Sequence, residues 1–212
     1  MDFLSKDLQA YIEAKTTQEN PLLQKLNRET NANVLMPRML SGHLQGRVLS
    51  ILSHMIKPAN ILEIGTYTGY SAICLAEGLR PGGKLYTIDV NQELEGMTRQ
   101  YLSQAGLDDI VQYIVGNAVE IIPSLDIEFD LVFIDADKSN YCKYFDLVID
   151  KVVPNGFIIA DNVLWSGKIL EKGKKDEDAQ GIIDFNDKVH LDKRVDNVLF
   201  PIRDGLMVLR KL

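Results

Sequence analysis

The chain predicts a doubly wound α/β sheet, on three observations. From Asn60 onward, short runs rich in β-branched and aromatic residues alternate with helical patterns, as strand–crossover–strand units require. Two of these runs stop on carboxylates: Phe129-Asp-Leu-Val-Phe-Ile134 meets Asp135-Ala-Asp137-Lys138, and Gly156-Phe-Ile-Ile-Ala160 meets Asp161-Asn162. Such continuous apolar runs fit buried parallel strands, beyond whose carboxyl ends ligands gather. Finally, 212 residues at 46% hydrophobic suffice for one sizeable core and are short for two. One domain over 1–212 is expected, with a helical N-terminal segment over 1–40 and an α/β core over 41–212.

Taken in order, Leu4, Leu8, Tyr11 and Ile12 fall at helical spacing. Asn20-Pro21 supplies a cap and first-turn proline for a second helix running to about Glu29. Leu44 to Ile56 reads as an amphipathic helix that stops near Pro58. Strands are expected at Ile61–Ile64, Lys84–Ile88, Val111–Val115, Leu131–Ile134 and Phe157–Ala160, separated by helical stretches such as Gly69–Leu79, Gln92–Gln104 and Asn140–Lys151. Right-handed crossovers make that set parallel. The tail breaks the rhythm: Asn197–Phe200 and Gly205–Leu209 are joined only by Pro201-Ile-Arg-Asp204. So short a link implies a hairpin and an antiparallel strand at one edge. The prediction is a mostly parallel, seven-stranded, Rossmann-like sheet with an antiparallel C-terminal hairpin strand and extra N-terminal helices. Glu171 to Asp178 reads as a solvated loop, and no internal repeat or low-complexity tract is present.

Composition narrows the partners. A formal net charge of −7 and an isoelectric point near 5.0 argue against nucleic acid as a default partner. Cys74 and Cys142 offer neither metal spacing nor a disulfide framework, which fits a reduced cytoplasmic compartment. Acids stand near the N-terminus where a signal peptide needs a basic start, and no apolar run reaches membrane-spanning length, so a soluble protein is expected. His43, His54 and His190 are scattered and read as structural or surface residues.

Asp and Asn commonly close strands or cap helices, so either acidic strand end alone is ambiguous. Two acids plus an amide, with no Cys or His beside them, form a hard-cation set of the kind Mg²⁺, Mn²⁺ or Ca²⁺ prefers. Between the first strand and the next helix lies Glu63-Ile-Gly65-Thr-Tyr-Thr-Gly69-Tyr-Ser71. Glycine there lets backbone approach a ligand closely. The three-glycine dinucleotide fingerprint is absent, and Glu63 suits a cationic or hydroxyl-bearing ligand better than a diphosphate. Asp89, ending the second strand, is placed to hydrogen-bond a ribose diol. These features alone leave NAD open.

Together, Glu63-Ile-Gly-Thr-Tyr-Thr-Gly-Tyr70, Asp135-Ala-Asp-Lys138, Asp161-Asn162 and the closing hairpin resemble the class I S-adenosylmethionine-dependent, divalent-metal-dependent O-methyltransferases, of the caffeoyl-CoA type with catechol O-methyltransferase more distant. The resemblance runs from about Met36 to Leu212. It implies that Glu63, Gly65, Thr66, Ser71, Asp89, Ala118 and Asp135 hold S-adenosylmethionine, with Ser41 a weaker match. It further implies that Asp135, Asp161 and Asn162 ligate the metal, with Mg²⁺ favoured. Lys138 matches a catalytic lysine, while Asp137 and Trp165 lie where the acceptor is contacted. The expected activity is methyl transfer to a hydroxyl of a small catechol-like or phenylpropanoid acceptor, in a homodimer. A second reading is methylation of 5-hydroxyuridine in transfer RNA, which bacterial relatives of similar length carry out. A third, a noncatalytic or NAD-binding module, leaves the acid cluster without a role.

Overall fold

The computed structural model describes residues 5–171, 173 and 176–212. Leu4 of the first predicted helix, and Lys172, Lys174 and Lys175 of the predicted charged loop, lie outside the described residues. Seven strands form one sheet: β1 (Asn60–Ile64), β2 (Lys84–Asp89), β3 (Val111–Val115), β4 (Phe129–Ile134), β5 (Val152–Asp161), β6 (Val195–Phe200) and β7 (Leu206–Lys211), in the order β3-β2-β1-β4-β5-β7-β6. The first five are parallel, and β7 runs antiparallel to both β5 and β6.

The predicted antiparallel strand is thus present but sits one place in from the edge. Burial explains the placement. Leu206, Met207 and Leu209 of β7 are all buried, on both faces, whereas β6 buries Val195 and leaves Val198 and Phe200 exposed. The strand apolar on both sides takes the interior position, and the half-polar one takes the edge.

Eight α-helices accompany the sheet among the described residues: α1 (Lys6–Lys15), α2 (Pro21–Asn33), α3 (Gly42–Ile56), α4 (Tyr70–Ala76), α5 (Glu95–Gln104), α6 (Ala118–Ile121), α7 (Tyr141–Val148) and α8 (Glu177–Leu191). Their starts follow from local chemistry. The Asn20 side chain accepts from the Leu23 N–H at 2.8 Å ahead of Pro21, as the cap prediction requires. Asp176 does the same for Ala179 at 2.7 Å, so Glu177 and Asp178 open α8 and are not loop residues. Acids in a first turn are favoured by the helix dipole, which is why a charge run read as loop is partly helix. The short α6 also had no counterpart among the predicted elements.

Alternation along the strands divides the core by sheet face. Leu62, Ile64, Val132, Ile134, Ile158 and Ala160 pack with α7 and α8, while Ile61, Leu131, Phe133 and Ile159 pack with α2 to α5. Leu23 and Leu26 of α2 are fully buried on this second side; α1 buries nothing. The chain order reverses between β1 and β4, and their carboxyl ends define the crevice where ligands bind in doubly wound sheets. Among the described residues, no helix is long and apolar enough to cross a membrane.

Because α2 is part of the core, Leu23→Ala is expected to lower unfolding free energy by about 2–5 kcal/mol in urea titration; an unchanged midpoint would show α2 to be dispensable.

Candidate active site

Gly65 follows β1 with φ 99°, and a Cβ built there would lie 2.0 Å from the Asp135 carbonyl oxygen. Only glycine meets both demands. Its N–H donates to Ile88 at 2.9 Å, and the Asp135 N–H donates to Ile64 at 2.8 Å, joining the ends of β1, β2 and β4. The turn continues through Tyr67, whose N–H donates to Asp89 Oδ2 at 2.7 Å, while Asn91 N–H donates to Asp89 Oδ1 at 2.8 Å. Both oxygens of Asp89 are thereby oriented by backbone, each with a lone pair left for a ligand. The Tyr67 hydroxyl donates to the carbonyls of Leu35 and Met36 at 3.2 and 3.3 Å, tying the turn to the segment before α3.

Glu63 lies beneath this turn and is fully buried. It faces Thr87 across the β1–β2 ladder, and the Thr87 hydroxyl donates to Oε2 at 2.5 Å. Thr66 shares the other side of that hydroxyl, also at 2.5 Å. Oε1 has no hydrogen-bond partner among the described residues. Burial, reinforced by the negative charges of Asp135 and Asp89, pushes the Glu63 carboxyl up to about 8. The Ser71 hydroxyl is near enough to oppose that rise, yet outside hydrogen-bonding geometry with Oε1. An orphaned buried carboxylate oxygen calls for a ligand donor.

The acids at the ends of β4 and β5 form the other half of the site. Lys138 is buried and donates to Asp135 Oδ1 at 2.9 Å and to the Tyr141 hydroxyl at 2.6 Å. That hydroxyl donates in turn to the Asp161 carbonyl at 3.0 Å. Asp161 is 2% exposed, accepting from Asn162 N–H at 2.7 Å through Oδ1 and from Gln45 Nε2 at 2.5 Å through Oδ2. Burial first, and the Asp135 charge second, hold the Asp161 carboxyl well above the usual range. The Lys138 ammonium opposes that rise only in part, and a further cation beside the two acids would favour their ionised forms. Asn162 follows with φ 60°, in the left-handed region that asparagine tolerates. Among the described residues no three His, Cys, Asp or Glu side chains cluster as a metal cage. The set offered is two carboxylates and an amide, all oxygen donors, which fits a hard cation that retains other ligands.

One cavity of about 1600 Å³ gathers nearly every residue expected from sequence. Ser41, Gly65, Thr66, Ser71, Asp89 and Ala118 line it, as do Asp135, Asp137, Lys138, Asp161, Asn162 and Trp165. Glu63 lies behind the lining. Asp137 accepts from the Tyr144 hydroxyl at 2.5 Å and from the Asn140 amide. Trp165 stands on a strained loop, with φ 46° followed by 52° at Ser166, and its ring lies 5.9 Å from both the Lys138 and Lys168 ammonium groups. His43 reaches the wall but bonds the Thr17 carbonyl at 2.7 Å, and the other two histidines do not line the cavity. Sequence reading missed Gln45, Tyr141, Tyr144 and Arg203. Gln45 was visible only as one polar position of an amphipathic helix, and Arg203 only as part of a link.

A family model described as O-methyltransferase matches residues 13–212. Catechol O-methyltransferase of Niastella koreensis is 33% identical over 189 residues, covering 87% of this chain and 85% of its own. Caffeoyl-CoA O-methyltransferase of Stellaria longipes is 27% identical over 205 residues, covering 92% and 85%. The crystal structure of an O-methyltransferase from Bacillus cereus in complex with SAH superposes with a TM-score of 0.90 at 27% identity, over 97% of each chain.

Glu63 gives a pH-dependent signature. Its folded value of about 8 lies above its ordinary 4.5, so the folded state holds a proton that the unfolded chain releases first. Unfolding free energy should therefore fall as pH rises between those values, by at most about 1.4 kcal/mol per pH unit. Glu63→Gln should flatten that slope and leave stability below pH ~4 unchanged. Parallel native and variant curves from thermal melts would refute the assignment.

Proposed function

Since the chain belongs to the O-methyltransferase family, we propose that it transfers the methyl group of S-adenosylmethionine to one hydroxyl of a small vicinal aromatic diol, catechol-like or phenylpropanoid, with a divalent cation, Mg²⁺ in the first instance. One observation carries this reading: two carboxylates, an amide and a buried lysine at the ends of β4 and β5 share a cavity with the Gly65 turn. The named activities of the relatives from Niastella koreensis and Stellaria longipes, and the SAH in the Bacillus cereus structure, support it.

Each group has an assigned task. Asp89 receives hydroxyls of the cofactor's sugar, its oxygens aimed by two backbone donors. Glu63 and Ser71 receive the cationic amino end, which meets the unpaired Oε1. The cofactor supplies a methyl group on a sulfonium, electrophilic enough for a phenolate. Acceptor phenols have a pKa near ~10 and are mostly protonated at neutral pH, so ionisation is the difficulty the site must solve. Asp135, Asp161 and Asn162 would hold a divalent cation, whose Lewis acidity would favour the ionised form of the acceptor hydroxyl and an acceptor with two adjacent hydroxyls. Lys138, held by Asp135 and Tyr141, stands where it takes the hydroxyl proton or steadies the phenolate by its charge. The exposed apolar side chains of Leu35, Met36 and Met39, with Trp165 on the cavity wall, offer a clamp for an aromatic ring. Holding both reactants in line is worth as much as ~7–11 kcal/mol in well-oriented cases.

The deciding experiment is a methyl-transfer assay with S-adenosylmethionine on catechol, a caffeoyl-type ester and hypomodified transfer RNA. EDTA should abolish turnover on the diols, Mg²⁺ or Mn²⁺ should restore it, and moderate NaCl should change it little. Inert diols, with salt-sensitive methylation of the RNA, would overturn the substrate class.

Removal of the proposed base tests the chemistry separately. Lys138→Ala should lower kcat on catechol by roughly 10²–10⁴-fold, while calorimetry shows S-adenosylmethionine binding within about twofold of native. A variant with native kcat would remove Lys138 from the mechanism.

A further inference from the structure

One oxygen of the Asp161 carboxylate is held by parts of the chain that none of the sequence motifs touch. Its Oδ2 accepts from Gln45 Nε2 at 2.5 Å, and Gln45, on α3, is 1% exposed. Gln45 Oε1 in turn accepts from Arg203 Nη1 at 2.8 Å. Arg203 stands in the turn between β6 and β7 with φ 50°, and the same nitrogen also donates to the carbonyls of Ser41 and, at 3.4 Å, Leu40. A hydrogen-bonded relay thus runs from the hairpin turn through α3 to the end of β5.

The relay has only one workable polarity. Guanidinium groups donate and never accept, and an ionised carboxylate accepts and never donates. Reversing the Gln45 amide would set its NH₂ against the guanidinium and its oxygen against the carboxylate, with two donors facing at one end and two acceptors at the other. Arg203 therefore fixes which end of the amide meets Asp161. Being neutral, the amide holds that carboxyl group in one orientation and does not itself supply the positive charge that a cation would bring. A lysine in the same place would neutralise the acid, and a second carboxylate would repel it.

Resting on the divalent-cation reading above, we infer that Gln45, backed by Arg203, is a positioning residue for cation binding: it fixes the Asp161 carboxylate and leaves its negative charge for the metal. Second partners of this kind commonly tune affinity by 10–100-fold.

Mn²⁺ is the probe. Free Mn²⁺ is counted by electron paramagnetic resonance in titrations of the native protein, Gln45→Met and Arg203→Met, with S-adenosylhomocysteine affinity and melting temperature measured in parallel. Gln45→Met, which keeps length and removes the donor, should raise the Mn²⁺ dissociation constant about 10–100-fold. The Mg²⁺ concentration for half-maximal turnover should rise by a similar factor, with S-adenosylhomocysteine affinity within twofold. Arg203→Met should shift Mn²⁺ affinity in the same direction and by less, and it carries the test if Gln45→Met fails to fold. Native Mn²⁺ affinity in both variants, or in the one that folds, with or without a lower melting temperature, would reduce the relay to a structural role. If the native protein itself binds no Mn²⁺, the cation reading falls and this inference with it; loss of methyl transfer is not needed to tell the two failures apart.

Discussion

Everything at this site depends on how closely the backbone after β1 approaches the end of β4. The contact between Gly65 and the Asp135 carbonyl is so tight that any side chain there is excluded. That approach brings two strand ends with different tasks within reach of one small ligand: the turn with Glu63 and Asp89 on one side, Asp135 and Lys138 on the other. Ladder hydrogen bonds at Ile64 and Ile88 hold it. The sheet therefore acts as a ruler, and the distance between cofactor groups and acid cluster is set by strand spacing rather than by loops.

Acidic groups are concentrated here and only lightly compensated. Glu63, Asp135 and Asp161 all stand at this edge, and the partners provided are a threonine hydroxyl, one lysine, one glutamine amide and the Asn162 N–H. Of these only the lysine can carry charge. The protein orients its acids without neutralising them, so burial holds Glu63 and Asp161 above the usual carboxyl range and leaves the site receptive to cationic ligands. Trp165 carries the same logic to the rim, where its ring lies close to two lysine ammonium groups.

Much of this was legible in the chain. The strand runs were apolar on both faces and bounded by turn residues, so their number and direction could be read, and acids at their ends marked the edge. Glu63, Gly65, Asp89, Asp135, Asp161 and Asn162 fall at the strand ends that the apolar runs mark, and the family resemblance supplied their expected roles. What could not be read lies in long-range pairing. Gln45 looks like any polar residue on an amphipathic helix until Arg203, from a turn at the far end of the chain, fixes its amide. The place of β7 inside the edge was hidden for the same reason: a hairpin's link length sets pairing between its two strands but not which of them meets β5. Helix α8 was obscured by its charges, which read as solvent-loving before their role at a helix start was apparent.

The position of β7 has a consequence for biosynthesis. β5, which ends in Asp161, has β4 on one side and β7, formed more than forty residues later, on the other. The β6–β7 turn also receives the Val163 and Leu164 N–H groups through Gly205 and Asp204, and the Asp204 side chain takes the Ser166 N–H. On a ribosome, an emerging chain can pair β1 to β5 while the loop carrying Asn162 and Trp165 still lacks its floor. The edge becomes complete only when β6 and β7 have left the exit tunnel, so a nascent chain that stops short of them would carry the glycine turn and the acids without the frame that aligns them.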